Sequence, residues 1–148
     1  MKRIALYAVG LCLAAGSMSA GEKSVMHCFA YTPIKEATQA DWDAFNKSTG
    51  ELPGKITGLK RVWHGKLARP LAQVSLMIPD PGERKKLMEA GKGTANVGVT
   101  RREYGVCMEF ADEAAFKAYG VAPAHKDWVA TYEKVRVAGT TTYQILGQ

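Results

Sequence analysis

The chain has 148 residues, a formal charge of +6 and an ordinary apolar content, which fits one domain behind a targeting segment and excludes wholesale disorder. Two of the positive charges, Lys2 and Arg3, belong to that segment, so the remainder carries about +4, spread along its length. The tight basic clusters, Arg84-Lys85-Lys86 and Arg101-Arg102, are not interleaved with aromatics, which argues against a nucleic-acid partner.

Residues 1–20 read as a secretory signal peptide: Lys2 and Arg3 form the positive head, 4–15 a short apolar run, and Ser17 to Ala20 a small-residue cleavage site. Cys12 follows the bulky Leu11 and does not fit lipidation. The expected product is residues 21–148, periplasmic or secreted, with no later segment apolar enough to span a bilayer. Cys28 and Cys107 remain after cleavage. Both fall in predicted strands, where they are either two small buried side chains or a disulfide, if the sheet brings their Cβ atoms close.

Residues 24–31 read as a central strand, with His27, Phe29 and Tyr31 on one face and Met26, Cys28 and Ala30 on the other. The spacing predicts a helix over 38–49, capped by Thr38, buried through Trp42 and Phe45 and ended by Gly50, with a turn-rich link over 51–58. Residues 59–64 alternate as a half-exposed strand, Leu59, Arg61 and Trp63 against Lys60, Val62 and His64, closed by Gly65. An inserted strand–helix segment, about 66–102, follows. In it, 71–78 is a candidate strand, Asp80-Pro81-Gly82-Glu83 a helix start, and Gly91 the helix end. Such an insert on a rigid scaffold is expected to pack over a pocket mouth or a dimer edge. Residues 99–110 form a long strand, with Tyr104, Val106, Met108 and Phe110 on one face.

Residues 110–132 hold the most informative pattern. Asp112 caps a short helix whose Phe116 and Tyr119 share a face, Gly120 stops it, and Pro123 opens a second helix. His125, Trp128, Val129 and Tyr132 then recur on one apolar stripe. A histidine on a buried stripe, six residues after a tyrosine, marks a candidate site. A last strand covers 140–146. The insert aside, the order is β-α-β-β-α-β: an α+β, ferredoxin-like pattern with an antiparallel sheet and helices on one face. The uncovered face, with apolar or small residues, calls for a second layer, and hence a homodimer.

His27, Leu52-Pro53, Gly58-Leu59, Gly65, Phe110-Ala111-Asp112, Ala118-Tyr119 and Pro123-Ala124-His125 together resemble the stress-responsive dimeric α/β-barrel (Dabb) family over most of 24–147. The resemblance implies a homodimeric barrel with a pocket between sheet and helices in each subunit. It also implies, by likeness to the plant polyketide cyclases, that His27, Tyr119 and His125 face that pocket, where those enzymes close a ring by aldol chemistry without a cofactor. Ala122 stands where the family often has a histidine, and Tyr104 where the cyclases place a further pocket histidine.

These residues make a coherent acid–base set: a neutral His125 as general base, Tyr119 or Tyr104 as donor to an oxyanion, and His27 to orient a carbonyl. The ligand-binding candidates are His27, Phe29, Tyr104, Tyr119, His125 and Trp128, for a small hydrophobic or carbonyl-containing ligand. The competing reading is two buried histidines bonded to backbone carbonyls inside an aromatic core. His27, His64 and His125 lack a zinc spacing and a lone helix histidine does not make a haem site, so no metal or cofactor is expected. Two classes stay open: a stress-related binding protein, and a cofactor-free cyclase or lyase.

Overall fold

The computed structural model describes residues 23–147, so the signal peptide read over 1–20 lies outside the described residues. The elements are β1 (Val25–Tyr31), α1 (Gln39–Lys55), β2 (Leu59–Leu76), α2 (Pro81–Ala90), β3 (Val97–Phe110), α3 (Glu113–Tyr119), α4 (Pro123–Tyr132) and β4 (Thr141–Leu146). The strands form one antiparallel sheet in the order β2-β3-β1-β4. The core lies between one face of this sheet and the helices. Val25, Phe29, Tyr31, Val106, Met108 and Phe110 meet Phe45, Leu52, Tyr119, Trp128 and Tyr132 there. The fold is therefore α+β and ferredoxin-like, as the element order predicts. No helix among the described residues is long and apolar enough to cross a membrane.

The predicted caps are present. Thr38 and Asp41 form a reciprocal capping box on α1, the Asp80 carboxylate accepts from the Glu83 backbone N–H (2.7 Å) on α2, and Asp112 accepts from Ala115 N–H (2.7 Å) on α3. Each satisfies an N–H that the helix itself leaves unpaired.

Two boundaries differ from the sequence reading. α1 does not stop at Gly50 but continues to Lys55, through Gly50 and Pro53. The reason is burial: Leu52 is 1% exposed and Ile56, the C-cap, 4%. Burial of two aliphatic side chains offsets the ~1 kcal/mol of a helical glycine and the bond to the Thr49 carbonyl that Pro53, lacking an N–H, cannot make. The second strand likewise does not close at Gly65. β2 runs on to Leu76 and pairs with β3 along its length, with register shifts between Leu59 and Arg61 and between Lys66 and Leu71. The first shift places Leu59, Val62 and His64 opposite Phe110, Met108 and Val106, on the helix side, and Trp63 opposite Cys107, on the other. A bulge inserts one residue and so reverses which face the following residues take.

The segment predicted as a strand–helix insert is thus a long β2–β3 hairpin arm with α2 at its tip. Val74, Met77, Met88 and Val99 on it are exposed. Cys28 and Cys107 are direct cross-strand partners, 4.2 Å apart at Cα, and form a disulfide, which resolves the alternatives left by the sequence.

The Trp128 indole donates to Thr49 Oγ1 (2.9 Å), which itself donates to the Phe45 carbonyl (2.7 Å), all inside the core. Trp128→Ala should therefore cost about 3–5 kcal/mol, from lost burial and the loss of the bond that Thr49 Oγ1 accepts. His125→Ala, at the partly buried start of α4, should cost less by more than about 1 kcal/mol. Denaturant melts of the two variants check this; equal losses would contradict the division between core and site.

Candidate functional site

A cavity of about 480 Å³ opens between β1 and the α3–α4 pair. His27 and Phe29 form its floor from β1, Phe116 and Tyr119 one wall from α3, and His125 and Trp128 another from α4. β1 presents His27 and Phe29 on one face because they are two residues apart. The break at Gly120 to Ala122 turns the chain so that His125 comes back against Tyr119, with ring centroids 4.0 Å apart. His27 lies 6.2 Å from Tyr119 and 5.1 Å from Phe116, centroid to centroid.

The chemistry of these groups follows from their burial. His125 is held below the ordinary imidazole pKa chiefly by desolvation, with the Gly120 carbonyl pulling weakly the other way. His27 is lowered by desolvation first and by the nearby His125 second. Both rings are therefore neutral at pH 7. Burial drives Tyr119 well above its ordinary range, so it stays a phenol and a hydrogen-bond donor. The Gln144 amide nitrogen lies 3.0 Å from His27 Nδ1. An amide nitrogen donates only, so Nδ1 accepts and the ring proton sits on Nε2. The arrangement offers one neutral base, one phenol donor and a second oriented imidazole around one open cavity.

Of the six residues singled out from sequence, five line this cavity: His27, Phe29, Tyr119, His125 and Trp128. Trp128 does so as a wall; it stacks between His125 and Tyr132, and its N–H is turned into the core toward Thr49. Tyr104 does not belong to the group. It pairs with Tyr31, four residues from His27 and so about 13 Å along the strand. There it rests on Trp42 (5.0 Å) beside a separate hollow that also holds His64. Shared facing along one side of a sheet does not place residues at the same height, and this is why the register-based assignment fails.

Sequence reasoning passed over Arg136, Tyr132 as a liner, and Thr142. Arg136 lies past the end of α4, in an isolated bridge with Pro33, so the helical stripe does not signal it. No residue of 66–102 lines this cavity within its own chain, so the arm does not cover it there. Among the described residues, no three His, Cys, Asp or Glu side chains are grouped as a metal site requires.

No protein-family model matches the sequence, and no curated protein matches it either. Solved structures do. The chain is similar to a dimeric ferredoxin-like protein of unknown function from Thermobifida fusca, at 16% identity over 84% of this chain and 92% of that one, with a TM-score of 0.54. It is similar to a hydroxynitrile lyase from Passiflora edulis at 10% identity over 85% and 94%, with a TM-score of 0.56. It is also similar to a Dabb family protein with a ferredoxin-like fold from Mesorhizobium loti, at 16% identity over 86% and 99%, with a TM-score of 0.50. At these identities the likeness establishes the fold alone, which is α+β and ferredoxin-like.

Burial of neutral histidines makes stability depend on pH. His27, His64 and His125 all titrate lower in the fold than in the unfolded chain, where the value is near 6.5. The unfolded chain then binds more protons, so their contribution is complete above about pH 6.5 and is lost as pH falls through the folded values. The melting temperature should be flat between about pH 7 and 8 and decline from about pH 6.5 downward, before carboxylates titrate. A His27→Gln, His125→Gln double variant should flatten that decline. A melting temperature that rises on acidification across this window would contradict the assignment.

Proposed function

We propose that this chain is an exported, homodimeric α/β-barrel protein that binds a small carbonyl-containing molecule in the cavity at His27, Tyr119 and His125, in a binding or stress-related role. The observation that carries this reading is the contact between the Tyr119 and His125 rings inside a cavity walled by aromatics. A core built only for stability has no need of a neutral imidazole and a phenol facing a space large enough for a ligand. Export is supported by the 1–20 pattern and by the Cys28–Cys107 disulfide, which suits an oxidising compartment.

The dimer is supported by the sheet face opposite the helices. Trp63, Tyr143 and Ile145 are about half exposed there, around the disulfide. A second copy laid on that face would complete a barrel, and the similar Thermobifida fusca protein is described as dimeric. A second reading, catalysis, is favoured by the same ring contact. His125 would take a proton from the ligand while Tyr119 donates to the oxygen on which charge develops, with no cofactor required. One similar structure is a hydroxynitrile lyase, whose fold therefore supports an activity in that protein.

Gently purified protein should retain a small molecule detectable by mass spectrometry, and His125→Ala should release it. If the protein only binds, this substitution changes affinity alone; if it also turns its ligand over, the rate should fall by about 10² or more. Light scattering should give twice the chain mass. A stable monomer at micromolar concentration would overturn the dimer, and a wild-type protein that retains and takes up nothing would overturn the binding reading.

A further inference from the structure

Two arginines stand near the end of the cavity remote from α3, and they are held in different ways. Arg102 is 6% exposed and each of its nitrogens is used: Nε donates to Thr141 Oγ1 (3.3 Å), Nη1 to Thr32 Oγ1 (3.3 Å) and Nη2 to Gln73 Oε1 (3.1 Å). That arginine ties the arm to β4 and to the end of β1. Arg136 lines the cavity instead. Its side chain is 18% exposed, its Nε is buried with no hydrogen-bond partner among the described residues, and its nearest acid, Glu133, is 3.6 Å away and 62% exposed. The guanidinium lies over the Tyr132 ring, 4.6 Å from the centroid, which offsets part of the cost of desolvating the charge. Its backbone is fixed, since Ile34 N–H donates to Val135 O and Val137 N–H to Thr32 O, both at 2.9 Å.

Among the described residues lining the cavity, Arg136 alone carries a permanent charge, and none is a carboxylate. A partly desolvated cation without a strong partner is unfavourable unless an anion completes it. We infer that Arg136 is the anion-recognition group of this cavity and that its ligand is a carboxylate on an aromatic or apolar body. The inference rests on the cavity being the binding site, and it adds the ligand class. A planar guanidinium matches a carboxylate through paired N–H donors. A phosphate would call for further cations or a cluster of backbone N–H groups, and the lining offers no second cation. The stripe from His125 to Tyr132 rises about 10 Å along α4. The carboxylate would therefore sit at the end opposite the histidines and tyrosine, with the ligand's carbonyl or hydroxyl facing His125. Phe29 and Trp128 would flank the body between them.

The test uses 2-naphthoate and its uncharged isostere 2-naphthamide as probes of the full-length mature protein. Titration calorimetry at low salt and neutral pH gives affinities, and the Trp128 indole N–H resonance reports binding in the cavity. Wild type should bind the acid about tenfold or more tighter than the amide, as expected for a charge-assisted pair. Arg136→Gln should abolish that preference and leave the amide affinity within about twofold, whereas Arg136→Lys should keep part of it. Glu133→Gln, which removes the competing acid at the exposed rim, should strengthen acid binding and leave the amide unchanged. Equal affinities in wild type, or an acid preference that persists in Arg136→Gln, would overturn the assignment and leave the binding cavity standing. If neither probe moves the Trp128 resonance in wild type, the cavity reading fails and the inference fails with it. Should Arg136→Gln not fold, the wild-type, Arg136→Lys and Glu133→Gln comparisons decide the matter.

Discussion

The hydrogen bond from the Trp128 indole to Thr49 Oγ1 is the constraint on which the site depends. It is buried, so it is made at nearly full strength and is costly to break. It joins α4 to α1, the helix pair over the sheet, and it fixes both the depth and the rotation of α4. His125 is one turn before Trp128 on the same stripe, so the rotation that satisfies the indole also delivers the imidazole to Tyr119. Past the end of α4, the bridge between Arg136 and Pro33 holds the chain where Arg136 lines the cavity. The core and the candidate site are thus not separate regions. One helix face serves both, and the polar atom of its largest residue is turned inward so that its ring can wall the cavity.

The cost of this arrangement is electrostatic. A histidine placed where a ligand is enclosed is also placed where water is excluded, and its charged form is penalised for the same reason. A charge on the nearby His125 further lowers the tendency of His27 to protonate. The cavity therefore favours neutral rings, the form in which an imidazole can accept a proton. Tyr119 moves the other way: burial keeps its proton on. One environment pushes a base toward being free and a phenol toward being a donor.

The fold was legible because its signals are local and repeated. Strand alternation at His27-Phe29-Tyr31, the Asp112 cap, Pro123 at the first helical turn and the 125/128/129/132 stripe each depend on neighbours within a few residues. What was not legible depended on contacts far apart in sequence. Gly50 and Pro53 mark a helix end by local rules, and only the burial of Leu52 and Ile56 against the sheet carries α1 past them. The bulge at Lys60 cannot be read from alternation, because it is the interruption of alternation. Tyr104 was assigned to the right face of β3 and the wrong height. Its partner along β1, Tyr31, became evident only from the register.

That register bears on the site more than its distance suggests. Side chains alternate along a strand, so a slip of one residue between β1 and β3 would turn His27 and Phe29 to the opposite face and put Cys28 in their place. The sheet is otherwise weakly guarded against such a slip here, because small or apolar residues lie on both faces of β1 and β3. The Cys28–Cys107 bond removes the ambiguity. It joins two residues that are opposite one another only in the observed register, and Cys28 is the immediate neighbour of His27. The disulfide lies on the face away from the cavity. Its consequence for the site is positional: it fixes which atoms of β1 the helices can meet, and so keeps His27 within reach of Tyr119 and His125.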